Sequence, residues 1–394
     1  MSEAPVILGG ILSVPAGTHA VIFDVDGVVL DSLAGDLSIC IAAADEVLGD
    51  SSWLTREAVE AHFALDPPHF WKVMAGEKNV ALSPAQLDAV VARYNELRAS
   101  WTFEPLAGIA EIVADIQAKG IACAVASSND LDVVKAMLGG LPFYDAFSVI
   151  SGLGADGIAP KPAADLYSEA VRQLGVDAAD CVFIEDSLTG LTAGKAAGIG
   201  YAVAVATGST SFAALEQSGL ADAVYDRFAA PHVVLIDDTP TNKTLDTAND
   251  FVSHMVEHIA WRLGVGIDLG WRSNDWRALG VALGHEVGKL GLTLPSAATL
   301  GMIDDGAAEV LIDREAQHGL DFDTHVSLPR QAVIDMRVEQ LSRGSDLLLL
   351  LEGLAEGLQA FVAVRLCTFE DPHHSWEGVF RATGICLARL REAA

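Results

Sequence analysis

What most constrains this chain is an alternation in its first 228 residues. Short apolar, β-rich runs at 20–23, 121–126, 147–150, 181–184 and 201–205 are separated by helix-patterned stretches such as 109–119 and 163–174. Runs that are apolar at nearly every position are strands buried on both faces, and helices between them make the crossovers of an open parallel sheet. No β-like run occurs between Ser32 and Thr102. There, the segment 84–100 carries apolar residues at helical spacing behind a Ser83-Pro84 start. The expected fold is therefore α/β, a Rossmann-like parallel sheet at 19–228 with an all-helical insertion at about 33–102, preceded by an extension over 1–18.

The rest of the chain, 229–394, has a different character. It holds eight of the eleven histidines and mixes β-like runs (233–236, 308–312, 361–366) with helical ones (249–263, 276–290, 346–359, 375–390). A second, α+β domain fits, joined near 226–231.

Charge and hydropathy exclude several classes of function. The net charge of −30 is spread over both parts, with no basic run to offset it, which disfavours nucleic acid and anionic membranes as partners. The densest apolar run, 347–351, stops at Glu352, far short of the roughly 18 residues that span a bilayer. Glu3, Gly9, Gly10 and Pro15 break any signal-peptide pattern, so the expected location is the cytoplasm. The five cysteines form no CxxC pair and read as buried apolar fillers in a reducing compartment.

Four strand-end motifs carry chemistry. The first strand runs into Asp24-Val25-Asp26-Gly27, two carboxylates at the carboxyl edge of the sheet, where open α/β folds bind ligands. One such carboxylate can attack phosphorus while the other moves a proton, and both can help hold a divalent cation. Alone, the pair fits a turn or a helix N-cap better than a catalytic role. Ser127-Ser128-Asn129 offers hydrogen-bond donors for a phosphoryl oxygen, or an N-cap. Lys161 stands between Pro160 and Pro162 as a stiffened countercharge, or as a solvated loop lysine. Glu185-Asp186-Ser187 places two adjacent acids at the end of an apolar strand, which calls for a bound cation.

In this order the four motifs resemble the haloacid dehalogenase superfamily, in the β-phosphoglucomutase-like branch with an α-helical cap inserted after the first strand. The resemblance covers about 19–228. It implies Asp24 as the nucleophile that forms an aspartyl-phosphate and Asp26 as general acid and base. It implies a phosphoryl group held by Ser127 and Lys161, and Mg2+ bound by Asp24, the Asp26 carbonyl, Glu185 and Asp186. The expected function is phosphatase action on a small phosphorylated metabolite such as a sugar phosphate. Where mutases and several sugar phosphatases of the family carry a histidine, this chain has Asp31-Ser32-Leu33 and then Asp36. The cap cations Arg56, Lys72, Lys78, Arg93 and Arg98 stand in no readable motif, so hydrolysis is favoured over a phosphomutase. Phe63, Phe70, Trp71 and Trp101 are candidates for a pocket lining or for core.

In the second part, His254 and His258 share a helical face, as do His373 and Glu377, whereas the adjacent His373 and His374 point apart. These groups fit either metal ligands or surface helices whose histidines cap and pack. The runs NDFVSHMVEHIAWRLGVGIDL, WRALGVALGHEVGKLG and EDPHHSWEGVFRATGICLARL are similar to imidazoleglycerol-phosphate dehydratase, a manganese enzyme with an HHxxE signature in each of two halves. The second signature is present as His373, His374 and Glu377. At the positions of the first stand Ser273, Asn274 and Arg277, and 351–354 lacks a further histidine. The resemblance implies a degenerate domain without dehydratase activity, with a vestigial Mn2+ site (His254, His258, His373, His374, Glu377), that assembles the chain into a homo-oligomer. A bifunctional histidine-biosynthesis enzyme, with histidinol phosphate as a substrate, and a metal-binding scaffold are the alternatives.

Overall fold

A sheet with parallel neighbours throughout forms at the positions where the alternation requires it. The computed structural model describes residues 5–63, 65–154, 157–237 and 241–391; Glu3 and the rest of 1–4 lie outside them. By its internal contacts the chain divides into two units, Met1–Ala229 and Ala230–Ala394.

The first unit opens with a hairpin, β1 (Val6–Leu8) and β2 (Leu12–Val14), followed by β3 (Ala20–Phe23). Four helices then form the insertion: α1 (Leu33–Leu48), α2 (Arg56–His62), α3 (Pro67–Glu77) and α4 (Pro84–Ser100). After them come α5 (Ile109–Ala118), β4 (Ala122–Asp130), α6 (Leu131–Leu138), β5 (Val149–Leu153), α7 (Asp165–Leu174), β6 (Cys181–Glu185), α8 (Leu188–Ala196), β7 (Tyr201–Val205), α9 (Phe212–Gln217) and β8 (Ala223–Tyr225). The order across the sheet is β5-β4-β3-β6-β7-β8, every neighbour pair parallel. β3 and β6 are fully buried because helices cover both faces. Since β3 lies between β4 and β6, the carboxyl ends of three strands meet at one edge, the topological switch point.

Local chemistry sets the insertion's boundaries. Ser83 Oγ accepts from the Gln86 N–H at 3.3 Å and Gln86 Oε1 accepts from the Ser83 N–H at 3.1 Å, a reciprocal cap that starts α4 at Pro84. Two features add to the sequence reading. In the extension, Leu8, Leu12 and Val14 are buried in the core, and the Gly9 N–H donates to Asp115 at 3.0 Å. The sheet also has a sixth strand, β8, whose three residues are too few to stand out in sequence.

The second unit contains β9 (His232–Ile236), β10 (Lys243–Thr247), α10 (Asp250–Leu263), β11 (Gly266–Trp271), α11 (Trp276–Gly288), β12 (Ser296–Ile303), β13 (Gly306–Asp313), β14 (Gly319–Thr324), α12 (Arg330–Asp335), α13 (Ser345–Leu358), β15 (Phe361–Leu366) and α14 (Pro372–Arg391). Its strands form two sheets, β10-β11-β9 and β12-β13-β15-β14. β10 and β14 place exposed charged residues among less exposed ones, and β12 mixes Ser296, Thr299 and Gly301 with its apolar residues, so none of the three carries the uninterrupted apolar run that marks a strand in sequence.

Helices α11 and α13 pack backbone to backbone. A Cβ on Gly280 or Gly284 would overlap the α13 backbone at Leu350 or Leu354, and one on Gly353 or Gly357 would overlap α11 at Arg277 or Val281. Two pairs of glycines four residues apart thus form a seam that admits no side chain. Among the described residues no helix is long and apolar enough to cross a membrane. Four of the five cysteines are buried as expected; Cys367, at the end of β15, is partly exposed instead, because the chain leaves the sheet there.

Gly353→Leu is expected to lower the stability of the second unit by at least about 3 kcal/mol, since the seam has no room to repack. Urea unfolding followed by tryptophan fluorescence reads this, and an unchanged midpoint would refute the seam.

Candidate active site and a second ligand cluster

Three strand ends and one loop converge on a narrow polar cleft lined by Asp24, Asp26, Ser127, Ser128, Asn129, Lys161, Glu185 and Asp186. Gly27, at φ +71°, turns the chain directly after the aspartate pair, in the left-handed region that suits glycine. The Lys161 Nζ donates to Asp24 Oδ1 at 2.5 Å and to Glu185 Oε1 at 2.5 Å, so this loop lysine is a buried countercharge. Glu185 is also held by the Tyr167 hydroxyl at 2.7 Å and the Ser187 hydroxyl at 3.2 Å. A Cβ on Gly190 would overlap the Glu185 carboxylate, so the glycine after the motif makes room for the acid.

The hydroxyl and amide groups of β4 are engaged with one another and with the carboxylates. Ser127 Oγ accepts from the Asn129 N–H and from Asn129 Nδ2, both at 3.2 Å. Ser128 Oγ accepts from the Lys161 N–H at 3.2 Å, which ties the lysine loop to β4. Asn129 Nδ2 donates to Asp26 Oδ2 at 2.5 Å. Of the aromatic candidates, Phe63 and Phe70 line the cleft, while Trp71 is fully buried in the core and Trp101 is exposed.

A residue that no sequence motif singled out completes the site. Arg98, in the last turn of α4, is buried and pairs with Asp26 through Nη2. The position where the family histidine was sought holds Asp36, fully buried, with its Oδ1 3.5 Å from Arg98 Nε. The available signal was a basic residue among the aromatics Tyr94, Trp101 and Phe103; charge alone did not distinguish Arg98 from the other cap cations.

Five carboxylates (Asp24, Asp26, Asp36, Glu185 and Asp186) thus face two cations, Lys161 and Arg98. Burial, helped by Glu185 and Asp26 and opposed by Lys161, pushes Asp24 up to about 7. Burial and then the Asp24 charge push Asp186 up as well. Oxygens of Asp24, Glu185 and Asp186 lie within 4.8 Å of one another. Such an all-carboxylate, buried, under-neutralised cluster fits a hard divalent cation such as Mg2+.

A second cluster occupies the second unit. His254, His373 and Glu377 present ligand atoms within 4.8 Å of one another. His258 joins them, its Nε2 2.6 Å from Glu377 Oε1 and 3.4 Å from His254 Nε2. Burial, then the neighbouring His254, pushes His258 down to about 4, so the ring is neutral near pH 7, as a metal ligand must be. Glu257 faces His254 Nδ1 at 3.5 Å and Glu339 faces His373 Nδ1 at 3.0 Å, the outer carboxylates that orient ligating imidazoles. His374, expected in this group, is not part of it. It pairs instead with Asp305 at 2.7 Å, because consecutive residues on a helix point about 100° apart. Arg277 forms an ion pair with Glu356 at 2.6 Å.

The family model for haloacid dehalogenase-like hydrolases matches residues 21–204. Protein CbbY, plasmid, of Cupriavidus necator is 32% identical over 193 residues, which cover 46% of this chain and 76% of that protein. Hexitol phosphatase B of Escherichia coli (strain K12) is 27% identical over 197 residues, covering 47% of this chain and 83% of that protein. A crystal structure of CbbY from Rhodobacter sphaeroides in complex with phosphate has 28% identity and a TM-score of 0.46, covering 54% of this chain and 95% of that chain. An α/β enzyme with carboxylates at a sheet edge is the class that the fold and site define. The chain belongs to the haloacid dehalogenase-like hydrolase family, and it is a hydrolase of phosphoric monoesters.

The pH dependence of stability follows from Asp24. Its folded-state value lies above its unfolded one, so its contribution is fully present below the unfolded value and is lost as pH rises through about 7. Metal-free protein is expected to lose thermal stability between about pH 5 and about pH 8, and Mg2+ to restore it mainly at the upper end, where protons no longer compete for the oxygens. Calorimetry with and without Mg2+ checks this; an equal Mg2+ effect at both ends would contradict it.

Proposed function

We propose that the first unit is a Mg2+-dependent phosphatase of a small phosphorylated metabolite, of the sugar-phosphate kind, working through an aspartyl-phosphate on Asp24. The observation that carries this reading is the buried set of Asp24, Glu185 and Asp186 around Lys161, with Asp26 two residues on. The name of one relative, hexitol phosphatase B, supports the substrate class.

In this mechanism a carboxylate oxygen of Asp24 attacks phosphorus and the ester P–O bond breaks. The bonding pair stays on the leaving oxygen, which takes a proton from Asp26. Water then attacks the phosphorus of the aspartyl-phosphate, Asp26 accepts the water proton, and Asp24 is regenerated as phosphate departs. Lys161 keeps a positive charge beside Asp24 throughout, and the hydroxyl of Ser127, which lines the same cleft, would donate to a phosphoryl oxygen. When bound by Asp24, Glu185 and Asp186, with the Asp26 carbonyl, Mg2+ would neutralise phosphoryl charge. Most of the −30 charge repels an anionic substrate at long range, so the cation and Lys161 supply the local attraction.

Asp24→Asn is expected to reduce phosphate release by at least about a thousandfold with the fold intact. Retained turnover in that variant, with circular dichroism unchanged, would exclude Asp24 as the nucleophile.

We read the second unit as a degenerate imidazoleglycerol-phosphate dehydratase-like domain that assembles the chain. Arg277, tied to Glu356, stands where a ligand carboxylate is needed, and a fixed cation there repels a metal ion. Support for assembly comes from the outer face of the four-stranded sheet, where Leu300, Met302 and Leu311 are exposed. The cluster of His254, His258, His373 and Glu377 favours one retained transition-metal site, of the Mn2+ or Zn2+ kind. Light scattering on the full chain and on residues 1–228 is expected to give a larger oligomer for the full chain; equal states would sink the assembly role.

A further inference from the structure

The residue that the sequence passed over, Arg98, sits at a junction between the helical insertion and the sheet. Its partner Asp26 lies 72 residues earlier, at the end of β3. The two oxygens of Asp26 are gripped from opposite origins: Oδ1 by Arg98 Nη2 from α4, and Oδ2 by Asn129 Nδ2 from β4. The guanidinium is itself aimed. Its Nη1 donates to Tyr94 Oη at 3.1 Å and to Asn129 Oδ1 at 3.4 Å. Tyr94 Oη in turn donates to Asp36 Oδ2 at 2.8 Å, and Asp36 Oδ1 lies 3.5 Å from Arg98 Nε. The rings of Tyr94 and Phe103 flank the guanidinium carbon at 5.4 and 5.6 Å.

Charge balance alone does not require this arrangement. A lysine would neutralise Asp26 as a point charge, whereas a planar fork bonded on several sides fixes the carboxylate's direction as well. The contacts point the same way. The Asp26 side chain is 15% exposed and that of Arg98 only 4%; both line the cleft, but the guanidinium's hydrogen bonds go to Asp26, Tyr94 and Asn129, so it braces the carboxylate. Burying Arg98 with two carboxylates costs desolvation that a solvent-facing pair would avoid, and the site retains it where proton transfer depends on the direction of one carboxylate.

We propose that Arg98 is a positioning residue for Asp26: the helical insertion, acting through Arg98 with Tyr94 and Asp36 as its struts, aims the carboxyl group that passes its proton to the leaving group. The inference rests on the reading of Asp26 as the general acid and base.

The test compares two substrates whose leaving groups differ in their need for a proton. An alkyl phosphate such as glycerol phosphate releases an alkoxide that must be protonated; para-nitrophenyl phosphate releases a stable phenoxide. With Mg2+ present, the ratio of alkyl to aryl kcat/KM is expected to fall at least about tenfold in the Arg98→Met/Asp36→Asn double variant, which leaves no buried Asp36 charge unpaired, and to take an intermediate value in Arg98→Lys. The aryl rate and circular dichroism show that the site still forms. Asp26→Asn separates the two readings. If Asp26→Asn lowers the ratio and the Arg98 variants leave it unchanged, the positioning role is overturned while the Asp26 role stands. If Asp26→Asn leaves the ratio unchanged, the Asp26 role fails and the Arg98 inference falls with it.

Discussion

The first unit depends on a charge imbalance that folding creates and cannot relieve by itself. Asp24, Asp26, Asp36, Glu185 and Asp186 come together out of water with Lys161 and Arg98 as their cations. Each carboxylate taken from water costs free energy that one shared lysine does not repay, which is why burial holds Asp24 near 7. The strand ends, the glycine beneath Glu185, the tether from Ser128 to the Lys161 loop and the arginine from the insertion are all arranged around this excess. A site built this way suits a divalent cation, whose charge offsets the excess of groups already stripped of water.

The two units use glycine for related reasons. In the first, Gly190 leaves space for the buried Glu185 carboxylate; in the second, Gly280, Gly284, Gly353 and Gly357 bring two helices into backbone contact. The seam sets the place of Arg277 beside Glu356. The clustered imidazoles of His254, His258 and His373 lie on other helices, α10 and α14. There, i, i+4 spacing within each helix and carboxylates behind the rings keep a ligand-like geometry.

Much of the first unit was legible before any coordinates. The strands at 20–23 and 201–205 occur where the apolar runs lie, because a strand buried on both faces has no polar alternation to obscure it. The helix at 84–100 was readable from its Ser-Pro start. The hairpin at 6–14 was not, since six strand residues and a turn carry no periodicity. In the second unit the strands β10, β12 and β14 escaped because charged, small or hydroxyl residues interrupt their apolar positions, and only pairing with a neighbour makes them strands.

By itself the sequence determined which residue types stand at the strand ends. Covalent order puts Asp24 and Asp26 two apart, Lys161 between prolines, and Glu185 beside Asp186, and a chemistry that needs those groups at a sheet edge can be read from order alone. It could not say which of five cap cations faces the site, whether His374 joins His373, or that Asp36 meets Arg98. Those pairings depend on where an inserted helix comes to rest and which way a side chain points from it. Only tertiary packing decides that, because contacts between residues 62 or 72 positions apart leave no local signature.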